Sequence, residues 1–212
     1  MIYNLPRKKR KQITNYLTFS SPNPFSISVE TPGWAGKLYY STDTAAWAEW
    51  TGNEVNATEA GGTYALYFRG TGNTKITGGF SNKWTLSGSS ISCTGNIESL
   101  LDYEIVAAGQ HPMMANYCYS YMFYGCTSLT TAPSLPATTL AIYCYYSMFR
   151  GCTSIKLAIS QSSEYDKEYR IPKSGNGANS YNALKNMFAG TGGTFTGTPS
   201  INTTYYTSNT IV

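Results

Sequence analysis

The sequence predicts a mixed α+β chain, in which a small N-terminal β-sandwich precedes a short repeat solenoid. Three observations carry this expectation. Residues 117–133, YCYSYMFYGCTSLTTAP, return without a gap as residues 143–159, YCYYSMFRGCTSIKLAI, which is 26 residues further on (143 − 117). The region ahead of them is cut into short alternating stretches by glycine, proline and asparagine turns. Charged residues make up only 12% of the chain, whereas aromatics reach 15% and include 19 tyrosines. That balance suits short strands and hydroxyl-rich surfaces rather than a charged helical protein.

Taken in order, residues 1–15 read as a basic arm, because Pro6 and the cation run argue against packed structure there. Residues 16–79 read as the β-sandwich-like domain. Strands are expected at 17–20, at 25–29 where Phe25, Ile27 and Val29 alternate with serines, at 37–41, at 47–50 and at 63–69. Trp34, Trp47 and Trp50 read as core filling, with a carbohydrate-stacking platform as the alternative. The glycine-rich run 70–79 has no following Lys-Ser/Thr and no strand-to-helix setting, so it is not read as a phosphate cradle. Residues 80–110 read as the junction and the cap that an exposed stack end needs, with alternating strands around Trp84/Leu86 and Ile91/Cys93 and a helical turn at 97–102.

Residues 111–195 read as the repeat stack. Cys118, Met122 and Cys126, then Cys144, Met148 and Cys152, fall at i, i+4, i+8, the spacing of one helical stripe, with Tyr119 and Phe123 on the next. Gly125 and Gly151 end the expected helix, and Thr-Ser-Leu/Ile starts a strand. Where the copies differ, at Ser120/Tyr146, Tyr121/Ser147 and Tyr124/Arg150, the side chains are expected to face solvent. Residues 161–177 read as a loop or insertion. Asn182–Thr191 restates the unit in degenerate form, because Met187, Phe188 and Gly190 echo Met148, Phe149 and Gly151 at an offset of 39 (187 − 148). Residues 196–212 read as a capping tail. A period of 20–50 residues marks repeat arrays, and this one lies in the leucine-rich-repeat range.

The motif YCYSYMFYGCTSLTTAPSLPATTLA resembles the BspA-like leucine-rich repeats of gut bacterial surface proteins and of proteins of their phages. The stretches LYYSTDTAAWAEWTG, LYFRGTGN and WTLSGSSISCTGNIESLLD resemble the domain that usually accompanies those repeats. The resemblance implies a β-sandwich-like module followed by a leucine-rich-repeat solenoid, used for attachment or display. The repeats here depart from the family in number, with two clear copies and a decayed third.

Charge and cysteine usage narrow the function classes. Arg7, Lys8, Lys9, Arg10 and Lys11 are consecutive; without them ten cations (15 − 5) face eleven acids, so the basic character lies in the arm. Such an arm docks on an acidic protein groove or on nucleic acid, or it is simply solvated. Within each copy the paired cysteines would lie about 12 Å apart along a helix, too far for a disulfide, so a ladder of buried thiols is expected. Neither CxxC spacing nor a histidine partner suggests a metal, and no cofactor motif is found. The single histidine, His111, reads as a surface or capping residue, and no paired-carboxylate, GxSxG or HExxH pattern suggests an enzyme.

MIYNLPRKKRKQ carries no apolar core of about 7–15 residues after its cations, and no apolar run is long enough to span a membrane. The expectation is therefore a non-enzymatic virion component (head fibre, decoration or tail-associated protein) that forms oligomers and attaches to other virion proteins through the arm. Tyr121, Tyr124, Tyr146 and Arg150 are the candidate contacts to a host protein or glycan, since Tyr and Arg are favoured at interfaces. The alternative is a bacterial cell-surface adhesin; a glycan-processing enzyme fits the residue inventory less well.

Overall fold

The computed structural model describes residues 16–208. Among them lie fourteen strands: β1 (Leu17–Ser21), β2 (Ser26–Val29), β3 (Lys37–Ser41), β4 (Ala48–Trp50), β5 (Val55–Asn56), β6 (Thr58–Ala60), β7 (Thr63–Thr71), β8 (Trp84–Ser87), β9 (Ile91–Thr94), β10 (Leu129–Thr131), β11 (Lys156–Ala158), β12 (Lys167–Arg170), β13 (Gly192–Gly193) and β14 (Thr204–Thr207). Short 3₁₀ turns occur at Phe80–Asn82 and Ile97–Leu100, and the one α-helix, α1, covers only Tyr103–Ala107.

The expected mixed α+β class is corrected. With 32% strand and 6% helix the described chain is almost all β, and no leucine-rich-repeat solenoid forms. Three sheets replace it, in the orders β10-β9-β1-β7-β3-β4 with β6 also on β7, β5-β2-β8, and β12-β14-β11-β13.

The N-terminal strands follow the two-residue period. Leu17, Phe19 and Ser21 are buried while Thr18 and Ser20 are half-exposed, and antiparallel pairing sets Leu17 opposite Phe68 and Phe19 opposite Leu66. In the smaller sheet Ile27 lies opposite Leu86 and Val29 opposite Trp84, all four buried. Side chains from both sheets meet in one aromatic cluster. Trp50 lies 4.9 Å from Phe68 and 4.9 Å from Trp84, and Phe19 lies 5.7 Å from Phe68. Such ring pairs contribute about 0.5–1.5 kcal/mol each beyond the area they bury. The three other tryptophans do not share one platform: Trp50 is core, Trp34 stacks on it at 5.4 Å, and Trp47 lies half-buried under the Arg69 guanidinium at 4.1 Å.

Both repeats fold alike, but not as helices. Tyr117, Tyr121 and Gly125 have positive φ, and so do Tyr143, Ser147 and Gly151, and then Asn182, Asn186 and Gly190. One left-handed residue in four turns each copy into a ribbon of linked turns. Even-numbered amides close those turns locally, as in Met122 N–H to Tyr119 O and Tyr124 N–H to Tyr121 O. Odd-numbered amides point sideways: Tyr117, Tyr119, Tyr121, Phe123 and Gly125 donate to Ile142, Cys144, Tyr146, Met148 and Arg150 of the second copy at 2.8–2.9 Å. The second copy's Tyr143, Tyr145, Ser147, Phe149 and Gly151 donate likewise to Tyr181, Ala183, Lys185, Met187 and Ala189 of the third. Tyrosine, serine, cysteine and phenylalanine are middling helix formers, and a ten-residue helix is marginal alone, so the lateral bonds prevail.

Equivalent side chains therefore stack. Phe123, Phe149 and Phe188 form a column with 5.6 and 5.4 Å between centroids, and Tyr119 lies over Tyr145 at 5.6 Å. Gly125, Gly151 and Gly190 are likewise aligned, a Cβ on Gly151 falling 3.5 Å from Gly125 Cα. All five cysteines are free and buried. Ser120 and Ser147, expected in solvent, are instead fully buried, although the tyrosines at the equivalent positions, Tyr146 and Tyr121, are half-exposed.

The outer side of the first ribbon is covered from the N-terminal region, where Ile76 and Thr77 N–H donate to Cys118 O and Trp84 N–H to Met122 O. The strand after the first copy, β10, runs parallel to β9 with Leu129 opposite Ile91, extending the larger sheet. After the second copy, β11 starts the third sheet. Residues 161–177, expected as a loop, contribute β12, and the tail strand β14 lies inside that sheet between β12 and β11.

Candidate functional site

The ribbon decides which side chains leave the stack. Cys118, Tyr119, Met122 and Phe123 point into the core. Tyr121 and Tyr124 emerge half-exposed from the first copy, Tyr146 half-exposed and Arg150 exposed from the second. These four, singled out from the sequence, fall on one face. Tyr121 lies 5.8 Å from Tyr124 and 5.3 Å from Tyr146, and the Arg150 guanidinium sits 5.9 Å from the Tyr124 ring. Partial burial, then the hydrogen bond with Tyr146, holds the Tyr121 phenol above its ordinary value of 10.0.

The face is wider than the sequence suggests. Phe80, 52% exposed, reaches in from the 3₁₀ turn before β8 and meets Tyr121 at 5.7 Å and Tyr124 at 5.1 Å. On the other side Tyr146 meets Tyr143 at 5.3 Å, Tyr143 stacks on Tyr117 at 4.9 Å, and Tyr143 meets Tyr181, 68% exposed, at 5.5 Å. Seven rings thus run unbroken across all three copies. Tyr117 and Tyr143 are identical between copies, so a comparison that seeks differences passes over them. Tyr181 is findable only once the third copy is placed, and nothing in the repeat points to Phe80.

A second feature lies beside the stack. Glu98, on the Ile97–Leu100 turn, is 1% exposed and accepts from or pairs with His111 Nδ1 through Oε2 at 2.8 Å, while its Oε1 has no hydrogen-bond partner. Burial raises its carboxyl above the usual 4.5, and His111 pulls it partly back. The pair borders a groove of about 430 Å³ lined by Met113, Met114, Leu140 and neighbours.

Among the described residues no group of three or more histidine, cysteine or acidic side chains could hold a metal ion. No described helix is long and apolar enough to cross a membrane. Arg7, Lys8, Lys9, Arg10 and Lys11 lie outside the described residues. No family model matches the chain. No curated protein and no solved structure matches it either.

Proposed function

We propose that the chain is a non-enzymatic attachment protein of a phage virion, carried on the head or tail, that presents the tyrosine face of its stacked copies to the host surface. The continuous run of seven exposed or half-exposed rings supports this reading. A face built from rigid aromatic side chains binds at small conformational cost. The resemblance to BspA-like proteins of gut bacteria and their phages points the same way. In this reading Arg7, Lys8, Lys9, Arg10 and Lys11 anchor the chain to other virion proteins, and the copies on the particle associate with one another.

Mass spectrometry of purified particles tests it: the polypeptide is expected at many copies per virion, and replacing the five arm cations by glutamine is expected to abolish incorporation. Host adsorption by particles carrying Tyr121→Ala and Tyr146→Ala should drop at least tenfold. Absence from particles, with the protein instead on bacterial surfaces, would make it a cell-surface adhesin using the same face.

A further inference from the structure

Cations surround the tyrosine face and acids do not meet them. Arg150 lies against Tyr124, and Lys83 Nζ sits 4.9 Å from the Phe80 ring centroid. Lys75 is exposed on the same loop as Phe80, its Nζ 3.7 Å from the position a Gly78 Cβ would take. In the third copy Lys185 occupies the place of Tyr146 and is exposed, and Ser147 N–H donates to its carbonyl at 3.0 Å. None of these four makes an ion pair among the described residues, where the pairs are Lys37–Glu49, Lys167–Asp166 and His111–Glu98. Free cations set into an array of phenol rings define a ligand with three properties. It is anionic, to answer the charge. It is rich in hydroxyls, to bond phenol oxygens. It has flat patches of C–H to lie on ring faces, where apolar area and ring quadrupole both favour contact.

We propose that this face binds an acidic polysaccharide, a linear chain of sugars bearing carboxylates, with its sugar rings on Tyr121, Tyr146 and Tyr143 and its carboxylates against Arg150 and Lys185. A linear polymer fits because the rings run unbroken from Phe80 across the first and second copies to Tyr181 beside the third. A protein partner of ordinary apolar character fits less well, since, Phe80 apart, the exposed groups named here end in hydroxyls and ammonium or guanidinium heads. The inference rests on the preceding reading, in which the tyrosine face is the gripping surface, and adds the chemistry of what is gripped.

The test uses full-length chain in which Arg7, Lys8, Lys9, Arg10 and Lys11 are replaced by glutamine, so that the arm cannot bind a polyanion. Affinity electrophoresis compares hyaluronan, a glucuronate polymer, with neutral dextran and with a thymidine oligonucleotide, alongside adsorption to host cells. Hyaluronan is expected to retard the protein, dextran much less, and added salt to weaken the effect. Tyr121→Ala with Tyr146→Ala should weaken hyaluronan binding about tenfold or more, the loss of roughly 1.4 kcal/mol or more. Arg150→Ala with Lys185→Ala should erase the preference over dextran, with the melting temperature of each variant reported as the control for folding. Equal binding of dextran, tighter binding of the oligonucleotide, or hyaluronan binding unmoved by these variants overturns the inference. If hyaluronan does not bind but the tyrosine variant still loses host adsorption, the polysaccharide assignment falls and the gripping face stands. If host adsorption is also unchanged, both fall.

Discussion

Phe123 stacks on Phe149 at 5.6 Å with their planes 13° apart, and the same ring meets Trp84 at 6.1 Å and Phe19 at 6.0 Å edge-on. One side chain therefore joins the column of repeats to the aromatic core of the N-terminal sheets. Phe188, at the other end of the column, meets the rings of Phe149 and Tyr169. Phe123→Ala is expected to cost about 3–5 kcal/mol, the usual range for removing a fully buried phenylalanine. It should also lower the unfolding midpoint of both regions together. Urea unfolding followed by tryptophan fluorescence and by far-UV circular dichroism checks this; separate transitions in the wild type would show that the two regions are not coupled through this ring.

Two glycines separate steric from conformational demand. A Cβ on Gly70 would lie 1.8 Å from the Leu100 carbonyl oxygen, so Gly70→Ala forces the backbone apart and should prevent stable folding. Gly125 has φ 73° with nothing near its missing Cβ, so Gly125→Ala pays only for the left-handed backbone, about 1–2 kcal/mol. Thermal melts of the two variants should differ widely; similar losses would contradict the ribbon geometry at residue 125.

Glu98 gives a pH dependence whose sign follows from its burial. Its folded pKa lies above the ordinary 4.5, so the folded state holds the proton more tightly than the unfolded chain does. The stability it contributes is complete below 4.5 and is lost as pH rises through the raised value. Glu98→Gln removes that loss, and should gain on the wild type as pH moves from acid to neutral. Chemical denaturation across pH 4–8 measures the difference; parallel curves would mean that His111 fully compensates the buried charge.

The five cysteines provide a count of intact folding. Burial pushes Cys126 and Cys144 up to about 12, and raises the other three as well. Thiolate is the reactive form, so the native protein should react negligibly with Ellman's reagent at pH 8, and all five thiols should react in guanidinium chloride. Fast reaction of one or two thiols in the native state would identify a layer that opens.

Much of this is legible in the sequence. The alternation of Phe25, Ile27 and Val29 with serines states that these three face inward, although Ser26 is buried beside them. The exact recurrence of Cys118, Met122 and Phe123 states that the copies stack, and Met187-Phe188 with Gly190 locates the third despite its longer connection. The helix expected over each copy does not form. A helical stripe repeats at about four residues, and so does a ribbon with a left-handed residue at Tyr117, Tyr121 and Gly125, so burial at Cys118, Met122 and Cys126 fits both. Only the glycine at the third of those positions hinted at the ribbon, and it also suits a helix end. Ser120 and Ser147 depart from expectation for a related reason: a difference between copies does not imply exposure, and both hydroxyls are buried without a hydrogen-bond partner. Phe80 and Glu98 come from segments outside the repeat, and no local pattern in either links them to it.

The division of amide donors has a bearing on how such a chain changes over generations. Each copy closes its own turns with one half of its N–H groups and offers the other half to whatever copy lies next. A duplicated segment therefore arrives with the bonds it needs and with a docking side already matched to its parent. The array can lengthen or shorten by whole units on the same backbone bonds, and a unit gained adds tyrosines to the surface only where it keeps residues such as Tyr117 and Tyr121, which the third copy replaces by Asn182 and Asn186.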